Sequence, residues 1–172
     1  MDKARRVIKD LRNRFPKSKG QLVVLHLDLN DLTTIKKSAE EFLSKESQLH
    51  VLWNNAGLMI PPQGSKTAQG YELQLGTNHI APFLFTKVLY PVLARTAASS
   101  PPKSVRVVWV SSDSAYKAAP KPPIDISNLD YHKDEGPWQK YGTSKAANIV
   151  QSAEFARRAS KDGIGSVVHM SL

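Results

Sequence analysis

The sequence predicts an α/β layered fold with a largely parallel sheet, a single domain over residues 1–172. Three observations carry this. Short, nearly all-apolar runs recur at 21–27, 50–53, 105–110 and 166–170, each too brief for a helix. Between them lie longer segments with helical apolar spacing, the alternation that builds parallel sheets. Polar clusters follow the first three runs directly: Asp28, then Asn54-Asn55-Ala56-Gly57, then Ser111-Ser112. In such sheets ligands sit beyond the carboxyl ends of the strands, so these clusters mark the expected site.

Taken in order, residues 3–14 place Ala4, Val7, Ile8 and Leu11, with Phe15 just beyond, on one helical face. A helix docked through that stripe is expected, ended by Pro16 and the loop 17–20. The strand 21–27 comes next, then Asp31 as N-cap of a helix to about Ser44, with Ile35, Ala39, Phe42 and Leu43 inward. After the strand 50–53, Pro61, Pro62 and Gly64 mark a loop. A short helix at 71–75 and a long one at 77–98 are predicted, with Pro82 in the first turns, where its missing N–H is tolerated. The strand 105–110 leads into 113–137, a Pro-rich stretch with little periodicity and therefore an irregular surface excursion. A helix through Tyr141 is expected to reach about Lys161, with Gly163 and Gly165 ending it before the last strand.

Composition narrows the function classes. The chain has enough length for one real core, and its 41% hydrophobic and 23% charged content is ordinary for a globular protein. With no Cys, disulfides and thiolate metal sites are excluded. The five His are scattered without ligand spacing, so no metal site is expected. Of the net charge of +9, the first 20 residues supply +6, from eight Lys or Arg against Asp2 and Asp10. The charges fall opposite the apolar stripe, so a solvated helix face is expected rather than a polyanion site. No aromatic stacking platform accompanies them, so nucleic acid is not an expected partner. The start lacks the apolar core of a signal peptide, and 81–94 is broken by Pro82, Lys87 and Pro91 and too short to span a bilayer. A soluble, cytoplasmic protein is the expectation.

Chemistry concentrates at Tyr141-Gly142-Thr143-Ser144-Lys145. Residues four apart share a helix face, so Tyr141 and Lys145 present a phenol and an ammonium side by side. A fixed cation beside a phenol favours the phenolate and makes the hydroxyl a usable general acid/base. Read singly, the other polar residues have plainer uses: Asn55 and Gly57 in a turn, Asp28 as an N-cap, Asn78 as a helix cap, Ser112 as a turn residue.

Read together and in order, Asn54-Asn55-Ala56-Gly57 after a strand, Asn78 in a long helix, Ser111-Ser112 after the next strand and Tyr141-x-x-x-Lys145 resemble the short-chain dehydrogenase/reductase family. The Pro-rich insert before Trp138 and the run Tyr141 to Asn148 are most similar to the branch with the retinol dehydrogenases and their fungal relatives. The resemblance implies an incomplete Rossmann-type three-layer parallel sheet, lacking the first two strands and the C-terminal strand. It implies an NAD(P)-dependent oxidoreductase that interconverts a hydroxyl and a carbonyl on a small-molecule substrate, with NADP preferred to NAD. On that basis Tyr141 exchanges the proton with the substrate oxygen, and Lys145 supports it and binds the nicotinamide ribose. Ser112 orients the same oxygen, and Asn78 holds a water in a relay to Lys145. Asp28 bonds the adenine amino group, and Asn55, Ala56 and Gly57 line the cofactor, the last two admitting its backbone approach. Family members pair through the helices of Asn78 and Tyr141, which implies a homodimer.

Three spaced Gly ahead of a helix, the family's pyrophosphate loop, occur nowhere in the chain. The chain is therefore expected to be an internal piece of a longer enzyme; the alternative is a non-catalytic fragment or pseudo-enzyme that binds no cofactor. The strands 21–27 and 50–53 are expected either to pair with each other or to expose edges and apolar faces, which predicts poor solubility.

Overall fold

The computed structural model describes residues 2–171. Its centre is a parallel sheet of three strands, β1 (Val51–Asn54), β2 (Arg106–Ser112) and β3 (Gly165–Ser171), in that spatial order. Trp53 lies opposite Val108, Val108 opposite Val167, and Ser112 opposite Ser171. Parallel neighbours require crossover helices. Helix α4 (Ala81–Ala98) joins β1 to β2 and helix α6 (Pro137–Ala159) joins β2 to β3. Both cover the same face, where Leu93, Val107, Trp109, Phe155 and Ile164 form one core cluster. Helix α2 (Leu32–Leu43) packs Ile35 and Ala39 against Phe85 and Leu89 of α4 in a second. Side chains alternate across a strand, so Trp53 and Val167 point the other way and stay exposed, Trp53 at 57%. The Trp53 ring meets His169 edge-on at 5.8 Å.

Local signals explain most boundaries. Asp31 caps α2 by accepting from the Thr33 N–H at 2.9 Å. Gly163, at φ 74°, takes the left-handed turn that ends the helical run after α6. The segments predicted as separate helices at 71–75 and 77–98 form one continuous path. It begins as α3 (Leu73–Leu75), widens to a π-helical turn at Gly76–Ile80, and continues as α4. A π-turn beside Pro82 is physically apt, because proline cannot give the i→i−4 bond that a regular helix needs. The excursion 113–137 holds only a short helix α5 (Ser114–Lys117) and a 3₁₀ turn at Ile126–Asn128.

Two expectations are corrected. Residues 21–27 form no strand. They run extended beside α2, where Ser38 Oγ donates to the His26 carbonyl at 2.6 Å and Leu25 and Leu27 join the α2–α4 cluster. A strand exists only when a neighbour completes its ladder, and none among the described residues does. Helix α1 (Asp2–Arg14) forms at the predicted place, but its apolar stripe is not docked: Val7 is 49% and Phe15 58% exposed.

Candidate active site

Helix α6 carries the densest polar group in the fold. Residues 140–148 are all buried, in a helix where Gly142 and Ala146–Ala147 keep the surface low. Tyr141 and Lys145 share a face as their spacing requires, with Lys145 Nζ 5.6 Å from the centre of the Tyr141 ring. Lys145 is only 6% exposed, and burial pushes its ammonium below the ordinary lysine value. Nζ donates to the Val110 carbonyl of β2 at 3.3 Å. Trp138 stacks edge-on against Tyr141 at 6.4 Å.

Asn78 lies in the π-turn, buried, and faces the loop after β1. Its Oδ1 accepts from the Leu58 N–H at 2.8 Å, and its Nδ2 donates to the Leu58 carbonyl at 2.9 Å and to Ser144 Oγ at 3.1 Å. The side chain thus stitches loop to helix. Gly57 is part of the same joint: a Cβ there would lie 2.8 Å from Asn78 Oδ1 and 3.7 Å from Lys145 Nζ. Tyr141, Lys145, Asn78 and Gly57 are thereby brought together.

The adjacent serines divide. Ser111 Oγ, fully buried, donates to the Lys145 carbonyl at 2.8 Å and fastens β2 to α6. Ser112 Oγ turns to the other side of the strand, donates to Asp113 Oδ1 at 3.1 Å and accepts from the Ser114 N–H at 3.3 Å. Lys117 first, and Ser112 second, hold the Asp113 carboxyl below its usual range.

The remaining candidates lie along the carboxyl ends of the sheet. Asp28, Ala56 and Gly57 line one cleft of about 430 Å³ with Leu27, Leu29, Leu58, Leu73 and Thr77. Asp28 also accepts from the Asn30 N–H at 2.8 Å, a turn contact that leaves it at the cleft wall. Asn55 is exposed and lies outside that lining; its neighbour Asn54 is structural, donating to Thr86 of α4 at 2.9 Å. The cleft suits part of a nucleotide: apolar walls for a flat base, a carboxylate for an amino or hydroxyl group, and small residues admitting close backbone approach. Among the described residues no group of His, Asp or Glu is arranged to hold a metal ion, and no helix is long and apolar enough to cross a membrane.

Sequence reasoning missed two residues here. Asn148, one turn past Lys145, donates to two carbonyls of the site; its signal was a poor helix former at an inward position. Gly142 lets the 114–119 backbone press against α6: a Cβ there would lie 2.5 Å from the Ala119 nitrogen.

A parallel sheet with crossover helices on one face, a Tyr–Lys pair on a buried helix and a small-residue loop at a strand end define an α/β fold of the open, Rossmann type. Comparison with protein-family profiles gives no match. A short-chain dehydrogenase/reductase of Emericella nidulans is 62% identical over 165 residues, covering 96% of this chain and 53% of that protein. One from Phomopsis amygdali is 51% identical, covering 96% and 50%. Among solved structures, the NADPH-bound carbonyl reductase from chicken fatty liver superposes with a TM-score of 0.66 at 25% identity, covering 95% of this chain and 61% of that one. The chain spans about half the length of the curated relatives it matches. Over that span it belongs to the short-chain dehydrogenase/reductase family.

Proposed function

We propose that the protein is an NAD(P)-dependent oxidoreductase that interconverts a hydroxyl and a carbonyl on a small molecule, with Tyr141 as proton donor and acceptor. The observation that carries this reading is the buried Lys145 ammonium over the Tyr141 ring at 5.6 Å, beside the small-residue loop at Gly57. With that ammonium beside it, the phenol would give its proton to a developing alkoxide and recover it in reverse. A bound nicotinamide would supply the hydride. Asp28, Ala56 and Gly57 would hold its nucleotide along the cleft at the strand ends, with Asn55 at the rim. Ser112 would orient the substrate oxygen, its hydroxyl released from Asp113 to do so. Asn78 fixes the Leu58 backbone and would hold a water in a relay to Lys145. NADP is preferred to NAD on the strength of the NADPH-bound neighbour. The groove between α4 and α6, lined by Phe83, Tyr90, Phe155 and Arg157, is where two copies would pair.

The test is NADPH and NADH oxidation with a panel of aldehydes and ketones, comparing the wild type with Tyr141→Phe. Loss of about 100-fold to 10,000-fold in kcat is expected, the range of a general acid/base contribution. Retained turnover would sink the reading.

A second reading, a non-catalytic chain, is favoured by one observation: no described helix starts on a spaced-glycine turn of the kind that binds pyrophosphate. Fluorescence titration with NADPH separates the two, since saturable binding to residues 1–172 alone contradicts the second.

A further inference from the structure

Asn148 lies three residues beyond Lys145 on α6 and is 1% exposed. A buried amide must spend its hydrogen bonds, and this one does so on the frame of the site. Nδ2 donates to the Val110 carbonyl at 3.1 Å and to the Asn78 carbonyl at 3.1 Å. Both partners only accept, so the orientation of the amide is fixed and Oδ1 is an acceptor. Oδ1 lies 3.0 Å from His79 Nδ1, which must therefore carry the proton. His79 is the Nδ1–H tautomer.

Each carbonyl bears on the reactive pair. Val110 supplies the oxygen to which Lys145 Nζ also donates, at 3.3 Å. Asn78 sits four residues ahead of Pro82, which has no N–H to return to it. Asn148 takes the place of that missing donor. One amide thus ties the end of β2, the helix break before α4 and the helix of Tyr141 into a fixed triangle.

We propose that Asn148 is a positioning residue for the Tyr141–Lys145 pair, setting where the Lys145 ammonium stands through the carbonyls of Val110 and Asn78. The proposal rests on the oxidoreductase reading, and it concerns Lys145 rather than contact with substrate.

Its first test needs no turnover. Long-range ¹H–¹⁵N NMR of the wild-type chain is expected to show His79 protonated at Nδ1 and bare at Nε2. The opposite tautomer would mean a reversed amide without its two carbonyl bonds, and would overturn the proposal. The second test is kinetic. Asn148→Leu keeps the size and removes the donors; Asn148→Asp keeps the shape and sets acceptors against two carbonyls. Both are expected to lower kcat by roughly 10-fold to 100-fold, as a small misplacement of a catalytic group does. KM for the carbonyl substrate is expected to stay within about threefold and the pH profile of kcat to shift. Unchanged kcat and pH profile in either folded variant would overturn the proposal. Should Asn148→Leu not fold, the wild-type tautomer and Asn148→Asp decide. Turnover retained in Tyr141→Phe would remove the underlying reading. Turnover lost there but kept in Asn148→Leu removes the positioning role alone.

Discussion

Helices α1 and α4 both carry an apolar stripe at helical spacing, yet the fold treats them differently. The α4 stripe, with Phe85, Leu89, Val92 and Leu93, is sealed between α2, α6 and the sheet. The α1 stripe remains largely in solvent at Val7 and Phe15. Periodicity tells which face of a helix would be buried, but a partner must be present to bury it. The strand-like run 21–27 repeats the lesson in β form, since an apolar, β-branched segment without a ladder stays extended coil. The candidate site residues segregate accordingly: Tyr141, Lys145, Asn78 and Asn148 all sit in the covered half.

The comparison is broken most forcefully at Gly142. In an open helix, Gly→Ala gains about 1 kcal/mol. Here the added Cβ would meet the Ala119 nitrogen at 2.5 Å and the Ala118 carbon and Ser114 oxygen at 2.8 Å. These are backbone atoms, which cannot rotate away. Gly142→Ala is therefore expected to cost about 1–3 kcal/mol, the usual toll of overpacking, read from the urea midpoint. A stabilised variant would show that α6 is less tightly covered than the structure has it.

His79 sharpens the same contrast through pH. Burial pushes its pKa below the ordinary 6.5, against the opposing pull of the Asn148 bond. A base whose folded pKa is depressed takes its proton first in the unfolded state, so stability is lost as pH falls below about 6.5. The slope cannot exceed about 1.4 kcal/mol per pH unit for one proton. Denaturation followed from pH 7 to 5 should show this limb in the wild type and a flatter one in His79→Gln. Equal slopes would mean that the start of α4 is wet.

Much of this was legible in one dimension. The three strands of the sheet, α2 with its Asp31 cap, and α6 from Tyr141 to its glycine end follow from local patterns. The juxtaposition of Tyr141 and Lys145 follows from helix geometry alone. What was not legible depends on contacts between distant segments. The failure of 21–27 to pair turns on a neighbour elsewhere in the chain. The role of Asn148 needs the Val110 and Asn78 carbonyls brought to it from 38 and 70 residues away. The π-turn arises where Pro82 removes one bond and Gly76 packs so close that a Cβ would lie 2.3 Å from Thr67. Ser111 and Ser112 look alike in sequence, and only the strand's alternation sends one into the helix and the other to Asp113.

The smallest expected effect belongs to α1, and it is the most discriminating. Val7 occupies an inward position by periodicity and would be costly to truncate if its helix were docked, since deleting buried methyl groups removes transfer energy and leaves a cavity. At 49% exposure it has little of either to lose. Alanine also forms helix better than valine by some tenths of a kcal/mol, which offsets what contact remains. Val7→Ala should therefore change stability by no more than about 0.5 kcal/mol, the scale of an ordinary surface substitution. A loss above about 1.5 kcal/mol in the urea midpoint would show that the α1 stripe is covered in solution, and the difference between the two helices would disappear.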